Sequence, residues 1–389
     1  MPVNWFIMKR VTKRVLPVLF ISGLLLAGVL AYAFFLLGQT EAPSRPSVSS
    51  AAAGADKAAA AVAAMTPEER VGQLMMIGIM GPELDTAAAQ QLARCPAGNI
   101  IFFDRNMVSP VQVRKLTKEL RQRIEMHSGV LPFIALDQEG GRVLRMRGSF
   151  PAIPSEEDIG RTGDPAAARK WAVLTGKTLH DLGINVNLAP VVDLGSPAER
   201  SYSTDPGVVT EFAAQACQGY RDSQVWCALK HFPGIGKVKT DPHIDGDRVQ
   251  ADAEELRQQD IKPFADLIRR KEAANAFVMV SNVTFPALDP EWPACVSQRI
   301  MTDILRGTCG YQGLILSDDM EMGAMAKHYA FSDMGVMAIK AGADIVLVCH
   351  DYGHEKETFE GMLQAYKTDP EFQRLADEKV MRIVRTKLR

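Results

Sequence analysis

Residues 184–231 contain the segment that decides the fold: INVNLAPVVD (184–193), VVTEFAAQACQGYRDS (208–223) and VWCALKH (225–231). The first and third pieces are short and apolar, whereas the middle piece has the length and the apolar spacing of a helix. A strand, a helix and a second strand in this order are typical of a βαβ unit with parallel strands.

The same alternation continues along the chain in both directions. The predicted strands are Val71–Ile79, Asn99–Phe103, Phe133–Asp137, Ile184–Asp193, Val225–His231, Ala276–Thr284, Gly313–Asp318 and Asp344–Cys349. The predicted helices include Pro110–Glu125, Pro165–Leu182, Val208–Ser223, Ala253–Arg270, Ser297–Arg306 and Asp333–Ala341. Eight such units predict an α/β fold, a (β/α)8 TIM-type barrel in a single domain. The alternative is a doubly wound open sheet, but no glycine-rich dinucleotide motif follows the first strand.

The composition excludes several classes of protein. The 389 residues include 44 basic and 46 acidic side chains, with no long basic stripe in the body of the chain, so we expect no nucleic-acid partner. The six cysteines form no CxxC pair, which argues against a structural zinc site. We also expect no cofactor. In an oxidising compartment, either Cys217 with Cys227 or Cys295 with Cys309 could form a disulfide.

The N-terminal region predicts a membrane anchor. Residues 1–14 are a basic N-terminus, and residues 15–38 carry no charge and are long enough to cross a bilayer as a helix. The basic cluster keeps the N-terminus in the cytoplasm, which puts the body outside it, on the periplasmic or cell-surface side. A cleaved signal peptide is the alternative. Residues 39–63 are an Ala/Ser/Pro-rich linker, and we expect the folded domain at 64–389 to be a monomer.

Charged groups end several of the predicted strands. Asp137 ends the third strand and precedes Gln-Glu-Gly-Gly-Arg-Val, with Arg145 after it. Lys230 and His231 end the fifth strand. Because barrel enzymes build their sites at the carboxyl ends of the strands, these side chains should converge.

Two further segments carry groups suited to catalysis. Asp241 and His243 follow the fifth strand and are two residues apart, which puts both on one side of an extended segment, where the carboxylate can orient the imidazole. Asp318 ends the apolar seventh strand and can act as a nucleophile. Asp319 could be the reactive group instead, but alternation should point only one of the two into the site.

Together these motifs resemble the glycoside hydrolase family 3 β-N-acetylglucosaminidases of the single-domain branch, from about Thr66 to the end of the chain. The resemblance rests on Asp-Gln-Glu-Gly-Gly-Arg-Val, Asn187–Asp193, Arg200-Ser201-Tyr202, Lys-His-Phe-Pro-Gly and Ser-Asp-Asp-Met in this order. It implies a single catalytic domain with retaining β-N-acetylhexosaminidase activity on terminal N-acetylglucosamine of peptidoglycan-derived or related glycans, through a covalent glycosyl-enzyme.

The resemblance also implies roles for individual residues. Asp318 matches the nucleophile, and His243 matches the acid/base, with Asp241 as its partner. The positions that match sugar-binding residues are Asp137, Arg145, Arg200, Lys230 and His231. One departure is the sequence Gly234-Ile-Gly-Lys-Val238, where the family usually has Gly-His-Gly-Asp-Thr.

Two other functions remain possible from the sequence. A β-glucosidase or β-xylosidase of the same family usually takes its acid/base from a second domain, which the residues after the eighth strand are too few to form. An inactive sugar-binding barrel is the other, and the altered loop at 235–239 is the only feature that favours it.

Overall fold

The strands and helices alternate as the sequence predicts, in a computed structural model that describes residues 57–145, 147–148, 151–238 and 248–389. All eight strands are parallel and close into a barrel in chain order. They are β1 (Met75–Gly78), β2 (Asn99–Phe102), β3 (Phe133–Leu136), β4 (Val186–Asn187), β5 (Trp226–Phe232), β6 (Ala276–Val280), β7 (Ile315–Asp319) and β8 (Ile345–Val348). The (β/α)8 prediction is therefore confirmed, and the open-sheet alternative is wrong.

Closure of the barrel is visible in the pairing of its first strand. β1 pairs in parallel with β2 on one side and with β8 on the other, where Met76 lies opposite Leu347. The strand residues are buried almost throughout, as expected where an inner layer of side chains fills the barrel and helices cover its outside.

Helices surround the barrel. Outside the strands, the longer helices are Pro110–Ser128, Pro165–Asp181, Pro206–Asp222, Phe331–Ala341, Tyr352–Thr368 and Pro370–Lys387, with a π-helix at Arg299–Thr308. Shorter helices are Pro67–Gln73, Thr86–Arg94, Glu156–Arg161, Ala253–Gln258, Lys262–Ile268 and Gly323–Ala326. Proline at the first helical turn after a capping side chain begins several of them, as at Ser109-Pro110 and Asp205-Pro206.

Three predicted elements are interrupted in the structure. The first predicted strand, Val71–Ile79, is divided into the end of a helix and the short β1, because the capping box at Thr66 begins a helix that continues to Gln73. The predicted strand Ile184–Asp193 is regular only over Val186–Asn187. Pro190 lacks an N–H and cannot continue the ladder, although Val192 again donates to the Lys230 carbonyl at 2.7 Å.

The predicted helix Ala253–Arg270 is interrupted after Gln258, and a second helix begins at Lys262. All six cysteines are buried free thiols, so neither of the two possible disulfides is present.

The predictions for the N-terminal region lie largely outside the described residues. These are the basic segment 1–14, the anchor 15–38 and most of the linker 39–63. Within the described ranges, no helix has both the length and the apolar character needed to cross a membrane. The described residues form one compact unit.

Candidate active site

A cavity of about 300 Å³ opens at the carboxyl ends of the strands. Its wall includes Asp137 after β3, Lys230 and His231 in β5, and Asp318 in β7. Arg145 and Arg200, which lie in the loops after β3 and β4, also line it. The structure therefore brings together every predicted site residue that lies in its described part.

The β3–β5 side of the cavity is a network of paired charges. Lys230 Nζ donates to Asp137 Oδ1 at 2.7 Å and lies 2.6 Å from Glu139 Oε1. Arg200 donates to both oxygens of Glu139, through Nε at 2.8 Å and Nη2 at 2.7 Å. Arg145 Nη2 is 3.4 Å from Asp137 Oδ2. The two-point contact between Arg200 and Glu139 holds that carboxylate in one orientation and keeps a positive charge beside it.

Burial and ion pairing have opposite effects on the pKa values of Asp137, Glu139 and Lys230. Burial disfavours the charged form of Asp137, but the charges of Lys230 and Arg145 outweigh it and lower the pKa of that carboxyl. The same balance, with Lys230 and Arg200, holds the pKa of Glu139 well below its usual range. Burial would lower the pKa of Lys230, yet the two carboxylates raise it. The cluster is therefore ionised at neutral pH.

Glu139 is a site residue to which the sequence analysis gave no role. It is buried, and it connects Arg200 to Lys230, two residues that are 30 positions apart in the sequence. The sequence does offer a signal, because Glu139 lies between Asp137 at the end of β3 and the turn at Gly140-Gly141. A carboxylate buried beside such a turn needs cationic partners.

Asp193 orients His231. The His231 Nδ1 atom is 2.7 Å from Asp193 Oδ2, and Asp193 Oδ1 accepts hydrogen bonds from the backbone N–H groups of His231 and Ile235 at 3.1 and 2.8 Å. With Nδ1 donating to the carboxylate, Nε2 is left as the ring nitrogen that can face a ligand. Asp193 itself is fully buried, and it holds the His231 ring in place.

Both aspartates at the end of β7 line the cavity, which corrects the expectation that strand alternation would point only one into it. The pairing of β7 with β8 shifts register between Leu316 and Asp319, so simple alternation fails at this strand end. The two carboxylates differ in their partners. Asp319 Oδ2 is 3.1 Å from His350 Nε2, and Asp319 Oδ1 accepts from the Glu321 N–H. Within the described ranges, the one hydrogen bond that Asp318 accepts comes from the Asp319 N–H, at 2.9 Å.

His350 and Phe103 form the wall beside Asp319, and the sequence analysis missed both. Their ring centroids are 4.5 Å apart. Arg105 Nη1 lies 3.1 Å from His350 Nδ1, and because arginine can only donate, that nitrogen accepts and Nε2–H donates to Asp319. Asp319 is thus held by the β8 side, which leaves Asp318 as the carboxylate available to a ligand.

Asp241 and His243 lie outside the described residues, since the structure describes nothing between 239 and 247. The residues before this gap show the effect of the altered loop sequence. Ile235 lines the cavity, and Lys237 pairs with the buried Asp260 and with Glu255 at 3.2 Å. Burial lowers the pKa of Lys237, but its hydrogen bond to Asp260 reverses the effect and raises it.

The arrangement can bind a polyhydroxylated ring and attack it. Paired carboxylates and cations offer acceptors and donors for several hydroxyl groups. The same cavity is lined by Asp318, a carboxylate that has no cationic partner in the described part of the chain. Within the described ranges, no group of histidine, cysteine, aspartate and glutamate side chains is arranged to hold a metal ion.

Comparison with known proteins gives a consistent result. The family model described as "Glycosyl hydrolase family 3 N terminal domain" matches residues 66–386. A beta-hexosaminidase of Idiomarina loihiensis is 34% identical over 307 residues, which cover 76% of this chain and 89% of the relative. Beta-hexosaminidase A of Pseudoalteromonas piscicida is 33% identical over 330 residues, 75% of this chain but only 55% of that longer protein.

A solved structure of a glycoside hydrolase family 3 beta-N-acetylglucosaminidase from a Paenibacillus species superposes with a TM-score of 0.78 at 33% identity. The superposition covers 83% of this chain and 63% of the Paenibacillus chain.

Proposed function

Because this chain belongs to glycoside hydrolase family 3, we propose that it is a retaining β-N-acetylhexosaminidase. It removes terminal non-reducing N-acetylglucosamine from peptidoglycan-derived or related glycans. The observation that carries this proposal is the pairing pattern of the cavity: Asp318 has no cationic partner among the described residues, and it lines the same cavity as the charged network of Asp137, Glu139 and Lys230.

The network binds the non-reducing sugar. Asp137 keeps one oxygen near Lys230 and the other near Arg145, and each oxygen has a second lone pair for a sugar hydroxyl. Lys230 and the Nε2 atom of His231 complete the set of hydroxyl contacts. Because these groups are already paired and oriented, the sugar binds without the cost of ordering them.

Asp318 acts as the nucleophile. One of its oxygens attacks the anomeric carbon, the bond from that carbon to the leaving oxygen breaks, and that oxygen receives a proton. The product of this step is a glycosyl ester on Asp318 and a free alcohol. Water then attacks the same carbon, gives up a proton and releases the sugar with the original anomeric configuration.

His243 is the acid/base of both steps, with Asp241 as its orienting partner. This assignment rests on the motif position of the two residues and on their spacing in the sequence. An imidazole can donate a proton to the leaving oxygen and accept one from water at ordinary pH, because it titrates near neutrality.

The protein acts outside the cytoplasm, attached to the membrane through residues 15–38, and it is a monomer. The support for the attachment is the uncharged run in the sequence and the basic residues before it. At that location the enzyme meets glycan of the wall compartment.

An assay of the full-length protein with nitrophenyl N-acetyl-β-glucosaminide and nitrophenyl β-glucoside tests the proposal. We expect turnover of the first compound and little of the second. A preference for the plain glucoside would favour the β-glucosidase or β-xylosidase alternative. Binding of N-acetylglucosamine without turnover of either compound would favour an inactive sugar-binding barrel.

A further inference from the structure

Glu156 is a buried carboxyl beside the charged network, and the proposed mechanism gives it no role. It is the first residue of the helix Glu156–Arg161, and it is only 3% exposed. Glu139, Lys230 and Arg200, three members of the network, are close enough to act on its pKa. A polar group in this position needs partners that compensate for the loss of water.

The surroundings of Glu156 favour its neutral form. Burial is the largest effect and raises the pKa of Glu156 well above its usual range, and the nearby Glu139 carboxylate raises it further. The opposing effects of the Val191 N–H, Lys230 and Arg200 do not cancel this shift. Glu156 therefore keeps its proton at neutral pH and acts as a hydrogen-bonding group, without a charge of its own.

The partner of Glu156 is a backbone group at the exit of β4. Its Oε1 atom accepts a hydrogen bond from the Val191 N–H at 2.9 Å. Val191 follows Pro190, where the regular ladder of β4 has already ended. The segment is still aligned with β5, because Val191 forms an isolated parallel bridge with Lys230 and Val192 donates to the Lys230 carbonyl at 2.7 Å. Glu156 thus supplies the acceptor that a buried backbone N–H requires.

This contact fixes the chain on one side of Asp193, which lies two residues after Val191. On the other side, Ser201 Oγ donates to the Asp193 carbonyl oxygen at 2.6 Å. Because the backbone is held on both sides, the Asp193 carboxylate is directed at His231, whose Nδ1 atom lies 2.7 Å from it. The direction of the His231 ring therefore depends on hydrogen bonds that begin at Glu156.

We propose that Glu156 is a positioning residue for the sugar site. By holding the Val191 N–H it fixes Asp193, and through Asp193 it sets the direction of the His231 Nε2 atom. Glu156 itself touches neither the sugar nor the reacting carbon. This inference rests on the proposed function, in which His231 contacts a sugar hydroxyl, and it adds the group that keeps this contact in place.

The dissociation constant of N-acetylglucosamine, measured by calorimetry on the full-length protein, tests the proposal. Glu156→Leu removes the acceptor, and we expect binding about tenfold weaker, the size of one lost hydrogen bond to a ligand. Glu156→Gln should bind like the wild type, because its amide oxygen can accept the same hydrogen bond without a charge. Glu157→Leu is the control, since it removes the neighbouring carboxyl, which pairs with Arg161 and is partly exposed.

A double variant distinguishes positioning of His231 from a general loosening of the domain. If Glu156 acts through His231, then adding Glu156→Leu to His231→Ala should weaken binding little further. A full tenfold loss in the His231→Ala background would overturn the proposal, and so would a Glu156→Gln variant as impaired as Glu156→Leu. If Glu156→Leu lacks the circular dichroism spectrum of the wild type, Glu156→Asp replaces it. Its side chain is one methylene shorter, and the same loss is expected.

Failure of the proposed function gives a different result from failure of this inference. The absence of turnover of nitrophenyl N-acetyl-β-glucosaminide contradicts the proposed activity but leaves the binding measurement intact. A wild type that binds no N-acetylglucosamine would overturn both. Equal dissociation constants in the wild type, Glu156→Leu and Glu156→Gln would overturn only the role of Glu156.

Discussion

Replacement of Lys230 by methionine should destabilise the barrel and impair the site together. The Lys230 side chain is 2% exposed, and its ammonium lies 2.7 Å from one carboxylate and 2.6 Å from another. Methionine has a similar length but no charge, so Lys230→Met leaves a cavity of little volume and two carboxylates with one cation fewer.

The expected loss follows from what remains around each carboxylate. Removal of one partner from a buried pair costs about 3–5 kcal/mol. Glu139 keeps its two-point contact with Arg200, whereas Asp137 keeps only Arg145 at 3.4 Å. The cost therefore falls on Asp137, and we expect a loss near the lower limit, about 3 kcal/mol in the free energy of unfolding. For a domain of this size that is a fall in Tm of roughly 4–5 °C.

The measurement is thermal and urea unfolding at neutral pH, together with kcat/KM on nitrophenyl N-acetyl-β-glucosaminide, which should fall as a sugar contact is lost. The pH dependence adds a second readout. Because Lys230 and Arg145 lower the pKa of Asp137, their stabilisation is present above the ordinary pKa of an aspartate and is lost as the pH falls. The difference in stability between wild type and Lys230→Met should therefore narrow in acid.

Lys177→Met serves as the control, since Lys177 is an exposed residue of the helix Pro165–Asp181. Adding Asp137→Asn to Lys230→Met should recover part of the lost stability, because the uncompensated charge is then gone. A loss below about 0.5 kcal/mol in Lys230→Met, which is the size of an ordinary surface substitution, would refute the reasoning.

Three further outcomes are expected. Asp318→Asn should abolish turnover with an unchanged circular dichroism spectrum, whereas Asp319→Asn should retain measurable turnover; the reverse order would move the nucleophile to Asp319. His243→Ala should lower kcat about 10²–10⁴-fold on substrates with poor leaving groups and less on nitrophenyl glycosides; equal losses on both would count against an acid role. Burial raises the pKa of Glu355 from 4.5 to about 9. Between these two pH values the folded state keeps a proton on Glu355 that the unfolded state releases. The free energy of unfolding therefore declines as the pH rises from the lower value to the higher one. Glu355→Gln should remove this decline and raise the free energy of unfolding by about 3 kcal/mol at pH 7. Urea unfolding of wild type and variant at acidic and at neutral pH checks this, because the difference between them should grow with pH.

The barrel and most of the site could be predicted from the sequence because both depend on local patterns. The alternation of apolar runs with helical segments is repeated eight times, and each repeat carries its own signal for its own type of element. Strand-end residues such as Asp137, Lys230 and Asp318 could also be identified, because parallel strands in a barrel bring their carboxyl ends to one face whatever the details of packing.

The ends of the elements were harder to predict, because local backbone signals competed with the apolar pattern and the sequence alone did not show which would prevail. The capping box at Thr66 prevails over the apolar run that begins at Val71, and Pro190 divides a run that otherwise has the composition of a strand. In each case the hydrogen bonds of the backbone, rather than hydrophobicity, set the limit of the element.

The sequence by itself determined the class of fold and the family, and it predicted the residues of the site. Only the tertiary structure decided how the charges are paired, because pairs such as Arg200 with Glu139 and His350 with Asp319 join residues that are far apart in the chain. Those pairs distinguish Asp318 from Asp319. Sequence specifies which charges are present, but the energy of a charge depends on its distance to others and on its burial, which exist only once the barrel has closed.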